Sequence, residues 1–249
     1  MQYGICNLSI VPVRIQPADA SEMVTQILYG EYFKILEERG KWSRIRIAFD
    51  SYEGWIDNKQ FLKIEEANYL DLISQKRVYS ADLIEFLTDD LGNLTSIPMG
   101  SILNSNYHLK NSFDGSAISG IKDKVHLIET ALLYLNAPYM WGGKTHFGID
   151  CSGLTQMVYM LNGYSLLRDS AQQATQGEAL SFIEESEVGD LAFFDNSEGK
   201  INHVGIIMSD NYIIHVDGKV RIDRIDHSGI FNADLKRHTH QLRVIKKIV

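Results

Sequence analysis

The segment Ile149-Asp150-Cys151-Ser152-Gly153-Leu154-Thr155-Gln156-Met157-Val158-Tyr159-Met160-Leu161 decides how the C-terminal half of this 249-residue chain is read. Leu154, Val158 and Leu161 recur at helical spacing, so a helix is expected from Asp150 to about Leu161. Asp is a strong N-cap residue, which puts Cys151 in the first turn. Free backbone N–H groups and the positive end of the helix dipole favour a thiolate there. Ser152 and Gly153 read as keeping the approach to the sulfur uncrowded. Against this stands a plainer reading, a lone cysteine packed as a small hydrophobe.

Working outward, Val125, Ile128, Leu132 and Leu135 mark another helix, stopped by Asn136-Ala137-Pro138. Downstream, strands are expected at 191–194, 203–208, 212–216, 220–223 and 242–249. Helices followed by strands give an α+β unit with helices packed on an antiparallel sheet. Ser209-Asp210-Asn211 reads as a hairpin turn, which brings His203 and His215 to neighbouring strands. A nucleophile, a base and a group that orients the base are what thiol catalysis requires.

Residues 1–64 show short strands at 11–15, 27–38, 42–48 and 54–56, cut by turns at Gly30, Arg39-Gly40 and Asp50-Ser51. In Trp42-Ser43-Arg44-Ile45-Arg46-Ile47 alternation gives one wet face. The pattern is that of a small all-β barrel. Residues 65–120 are too many for a structureless connector; a second, degenerate barrel or a structured linker is expected, with a helical hairpin as the alternative. Residues 121–249 form the third segment.

Composition excludes several classes. A net charge of -8 without any Lys/Arg run argues against nucleic acid. No apolar stretch approaches a membrane span, and the N-terminus lacks a secretory pattern, so a cytoplasmic protein with no membrane partner is expected. Cys6 and Cys151 suggest neither a disulfide framework nor a paired-cysteine zinc site. No metal and no cofactor are expected.

Pro138-Tyr139-Met140-Trp141-Gly142-Gly143, Phe147-Gly148-Ile149-Asp150-Cys151-Ser152-Gly153-Leu154, Arg168-Asp169-Ser170-Ala171-Gln172-Gln173, Gly189-Asp190-Leu191, Asn202-His203-Val204-Gly205-Ile206 and Ile213-Ile214-His215 together resemble the NlpC-type family of papain-like cell-wall cysteine peptidases. Val13-Arg14, Leu28-x-Gly30-Glu31, Gly40-Lys41-Trp42 and Tyr52-Glu53-Gly54-Trp55-Ile56 resemble a bacterial Src-homology-three-like barrel. The order barrel then catalytic domain is that of the γ-D-glutamyl-diamino-acid endopeptidase branch.

The resemblance implies Cys151 as nucleophile, His203 as base and acid, and His215 as the residue orienting His203. It places Tyr139 near the oxyanion, where the other reading is an interior aromatic. Asp150, Ser152, Asp169 and Ser170 match positions that meet a substrate's free ammonium. Asp150 and Ser170 also fit as helix caps, and both readings stand. Glu22 and Tyr52 match barrel residues that meet L-alanine, although Glu22 also reads as a solvated loop residue and Tyr52 as barrel packing. The implied partner is a short murein peptide, L-Ala-γ-D-Glu-diamino acid, hydrolysed by a monomer and released for recycling. Alternatives are a broader amide hydrolase or acyltransferase on the same fold, or a peptidoglycan-binding protein.

Overall fold

The computed structural model describes residues 2–249, which fall into two compact units divided after Gly120. In the first, strands β1 (Gln2–Ile5), β2 (Ile10–Arg14), β3 (Met23–Leu28), β4 (Tyr32–Arg39), β5 (Trp42–Ile47), β6 (Glu53–Asp57) and β7 (Leu62–Ile64) form an antiparallel sheet in the order β3-β2-β6-β5-β4-β1-β7. Alternation works as expected along β5. Ile45 and Ile47 join a core of Val11, Val13, Ile27, Phe33 and Ile56, while Arg44 and Arg46 reach out to Glu53. The turn expected at Gly30 divides residues 27–38 between β3 and β4, its φ of +80° reversing the chain. Both β1 and β7, unmarked by any turn-bounded pattern, extend the sheet.

Residues 65–120 hold α1 (Glu66–Ser74), β8 (Val78–Ser80), β9 (Ile84–Asp89), β10 (Leu94–Pro98), α2 (Asn106–Leu109), β11 (Asn111–Phe113) and β12 (Ala117–Ser119). The strands form a β10-β9-β11 sheet and a β12-β8 pair, so a helical hairpin is not what these residues make. They are bound into the first unit through Tyr29, which is buried with Leu87 and Ile97 and accepts the Ile102 N–H at its carbonyl, 2.8 Å. Tyr69 of α1 stacks on Tyr3 at 4.3 Å.

In the second unit, α3 (His126–Leu133) precedes a small β13 (Lys144–Thr145) and β14 (Gly148–Ile149) pair, then α4 (Cys151–Leu161) and α5 (Ser170–Gln173). Strands β15 (Glu178–Leu180), β16 (Leu191–Asp195), β17 (Ile201–Met208), β18 (Tyr212–Asp217), β19 (Lys219–Asp226), β20 (Gly229–Asn232) and β21 (Arg237–Lys247) run in the order β15-β21-β16-β17-β18-β19-β20. β20 also pairs with β21, so the expected sheet closes on itself. Its apolar filling is Ala192, Phe194, Ile207, Ile213, Ile225, Ile230 and Ile245. α4 lies against β17 and β18 and is buried on nearly every side, whereas its sequence suggested one apolar face.

Gly30 offers a test of how the two parts of the first unit are joined. A Cβ there would collide with the Ile102 carbonyl and the Ser105 side chain, whereas one at Gly40, also at positive φ, would meet nothing within 4 Å. Both Gly→Ala changes should destabilise through backbone strain of about 1 kcal/mol or more. Gly30→Ala should lower the urea midpoint clearly further than Gly40→Ala.

Candidate active site

Asp150 terminates the β13–β14 pair and caps α4, its Oδ1 accepting the Gly153 N–H at 2.6 Å. The same carboxylate accepts the Gly142 N–H at 2.8 Å and is gripped at both oxygens by Arg168, at 3.0 and 2.7 Å. Arg168 is 1% exposed and also donates to Ser152 Oγ at 2.9 Å. Gln173 adds a second brace beneath the first turn: its Nε2 donates to the Ser152 carbonyl at 3.0 Å and its Oε1 accepts from Thr155 at 2.7 Å. Gly153 is needed here for another reason than an uncrowded sulfur. A Cβ would run into the Gly143 carbonyl and reach within 2.9 Å of Asp150 Oδ1.

Cys151, the first residue of α4, is partly exposed and not in a disulfide; Cys6, in the first unit, is not in a disulfide either. Its sulfur receives the backbone N–H groups of Val204 and Ser152. Val204 follows His203, so the thiol lies beside the strand that carries the imidazole. Burial pushes the Cys151 thiol up to about 12, with Asp150 adding to the rise, against the pull of the two N–H groups and Arg168.

His203 and His215 are joined by Nε2 to Nδ1 at 2.9 Å, and His215 Nε2 meets Asp223 Oδ2 at 2.9 Å. The geometry comes from a diagonal offset used twice. His215 stands opposite Gly205, two residues beyond His203, and Asp223 stands two beyond Arg221, which is opposite His215. The turn between β17 and β18 has Asp210 and Asn211 both at positive φ, which matches the twist of the hairpin. Gly205 supplies room, since a Cβ would sit within 2.9 Å of His215 Cβ and closer still to Ile213.

Proton positions follow from Asp223, which can only accept. His215 therefore donates from Nε2 and accepts at Nδ1; His203 donates from Nε2, leaving its Nδ1 lone pair as the one basic site of the relay. Burial works against the Asp223 carboxylate, but hydrogen bonds from His215 and Arg221 outweigh it and hold the group below its ordinary range. Burial, with His240 and His215 adding, holds His203 well below the usual imidazole value. Both shifts favour the uncharged forms of the thiol and the imidazole.

Tyr139 is set by a bridge to Ile149, two residues before Cys151, and is 46% exposed, so it is not an interior aromatic. Burial raises its phenol, with Cys151 and Asp150 adding to the rise. Asp169, not Ser170, occupies the N-cap of α5, with its N–H donating to Gln172 Oε1 at 3.1 Å; Ser170 is the first helical residue. Glu22, exposed just before β3, and Tyr52, packed on the barrel core, lie in the first unit.

Residues 136–240 match the model described as NlpC/P60 family, and residues 13–61 match that of a bacterial dipeptidyl-peptidase Sh3 domain. The chain carries an NlpC/P60 cysteine-peptidase domain behind a bacterial SH3 domain. Relatives include a gamma-D-glutamyl-L-lysine dipeptidyl-peptidase of Bacillus subtilis, 28% identical over 77% of this chain and 71% of that protein. Dipeptidyl-peptidase 6 of Lysinibacillus sphaericus is 26% identical over 88% and 91%. In fold, the chain resembles an NlpC/P60 family protein from Bacillus cereus with a TM-score of 0.80 at 18% identity, covering 99% of each chain.

Around the NlpC/P60 centre, Arg168, Gln173, Asp223 and His240 are the residues that sequence reasoning passed over. Arg168 and Gln173 lay inside a quoted motif, where a single cation behind Leu166-Leu167 was the available signal. Asp223 and His240 depend on register between distant strands. His240, from β21, stacks on His203 with ring centroids 4.1 Å apart.

Replacing Arg168 by Met should strand the Asp150 carboxylate and cost the second unit about 3–5 kcal/mol, read from urea unfolding. Adding Asp150→Asn should recover part of that loss. For pH, the depressed His203 value means the imidazole remains able to accept a proton through pH 6.5 and loses that ability only in more acidic solution. The acid limb of kcat/KM should therefore have its midpoint below 6.5, and a midpoint at neutrality would contradict the downward shift of His203.

Proposed function

We propose that the enzyme hydrolyses the γ-D-glutamyl–diamino acid bond of short murein peptides that carry a free N-terminal L-alanine. The observation that carries the peptidase chemistry is Cys151 at the start of a buried, capped helix beside the strand of a His203–His215–Asp223 relay. The bond specificity rests on the names of the relatives and the order of the two domains.

In this reading Cys151 Sγ attacks the γ-carbonyl as His203 Nδ1 takes the thiol proton. Backbone N–H groups at the start of α4, with Tyr139, meet the oxyanion. His203 then returns the proton to the departing amine of the diamino acid, leaving a thioester. Water, deprotonated by the same imidazole, releases the dipeptide and the thiol. His215 and Asp223 keep Nδ1 aimed and basic throughout.

The substrate ammonium is proposed to lie among Asp150, Ser152, Asp169 and Ser170. Asp150 and Ser152 are already engaged with Arg168, so their part is to offer remaining lone pairs at the rim of a fixed network. Glu22 and Tyr52 are proposed contacts for the same L-alanine on the resemblance alone. A free amine exists only on peptide released from the glycan, which favours cytoplasmic recycling; recovery of the protein in the cell envelope would oppose that. Among the described residues no helix is long and apolar enough to cross a membrane.

Mass spectrometry of products from L-Ala-γ-D-Glu-L-Lys, its diaminopimelate counterpart and their N-acetylated forms should show cleavage on the C-terminal side of D-glutamate in the free-amine peptides only. Equal cleavage of the acetylated peptides would sink the ammonium requirement. Cys151→Ala should lose at least about a thousandfold in kcat.

A further inference from the structure

We propose that His203, His215 and His240 form a binding site for a divalent transition-metal ion of the zinc class, and that filling it switches the peptidase off. The three imidazoles come from β17, β18 and β21, and their candidate ligand nitrogens all lie within 4.8 Å of one another. Tetrahedral zinc with Zn–N bonds of about 2.0–2.1 Å needs nitrogens about 3.3 Å apart, so the widest separation must close by up to about 1.5 Å and the His240 ring must turn out of its stack on His203 to aim its lone pair at the ion. Three neutral nitrogen donors suit zinc, cobalt or copper and disfavour calcium and magnesium, which require oxygen.

Two further contacts prepare the ligands. Asp223 holds His215 Nε2 at 2.9 Å, the carboxylate support that metal-binding imidazoles usually have, and leaves Nδ1 facing the cluster. Thr239 Oγ1 lies 2.9 Å from His240 Nδ1, leaving Nε2 as the ligand atom. An open depression of about 490 Å³, lined in part by His238, Thr239 and His240, brings solvent to the His240 side of the cluster. The hydrolytic scheme uses His203 and His215 but has no task for His240.

Switching off follows from proton bookkeeping. In the metal-free relay His203 carries its proton on Nε2 and keeps Nδ1 basic. Coordination through Nε2 requires that proton to leave through solvent, and the neutral ring takes one up on Nδ1. The lone pair that would accept the thiol proton is then gone, with no net change in protons on the protein. The metal site itself stands on geometry; its effect on turnover rests on the role proposed for His203.

The test uses the full chain with Cys151→Ala, which removes the thiol as a competing ligand. Isothermal titration calorimetry should show one Zn²⁺ bound, and Co²⁺ should develop visible d–d absorption. Adding His240→Phe, which keeps a ring against His203 but no nitrogen, should weaken Zn²⁺ binding at least about tenfold, whereas His238→Phe should not. Circular dichroism checks that each variant is folded. The unmodified enzyme should lose hydrolysis with Zn²⁺ and regain it with a chelator. Absence of Zn²⁺ binding by the Cys151→Ala chain, or equal affinity after His240→Phe, would overturn the site. Zn²⁺ bound with hydrolysis undiminished would overturn the switch and count against His203 as the base.

Discussion

The carboxylate of Asp150 is the point on which the catalytic unit turns. It faces three tasks at once: capping α4, fixing the Gly142 loop and neutralising a guanidinium that has almost no access to water. A buried pair of this kind adds little net stability over an apolar packing of the same volume, because both ions lose hydration. What it supplies is position. With Asp150 fixed, Cys151 can occupy only the first turn of α4, and Gly143, Gly153 and Ser152 are held around it by contacts too close to allow another arrangement.

Opposite that helix, the sheet performs the complementary task with period-two geometry. Each step from His203 to His215 to Asp223 moves one strand across and two residues along, so alternation keeps all three side chains on one face. Fixed strands give the relay its distances without any flexible loop. The role of Gly205 is to be small where His215 and Ile213 crowd the ladder.

The parts of this arrangement that were readable in the sequence are those governed by nearby residues. The Asp150 cap, the start of α4 at Cys151 and the Ser209–Asn211 turn all depend on contacts within a few positions, and the histidine pair follows from that turn. Asp223 and His240 were not readable because their places depend on the pairing of β18 with β19 and of β20 with β21. In residues 65–120 the strands are short, with several large apolar side chains such as Phe86, Leu91 and Leu94 facing solvent. A hydrophobic pattern therefore had little burial to report there. For Tyr139, read from the resemblance as near the oxyanion with an interior aromatic as the alternative, exposure of about half of the side chain removes that alternative.

Sheet closure also bears on the order in which the molecule can be made. β21 hydrogen-bonds to β15, β16 and β20, so residues 237–247 are wanted by three strands synthesised before them. Until they leave the ribosome, β16 and β20 each have a bare edge. Such non-local pairing folds slowly and leaves sticky intermediates exposed. A nascent chain would thus carry His203 and His215 on an unfinished surface until residues 237–247 dock as the closing strand.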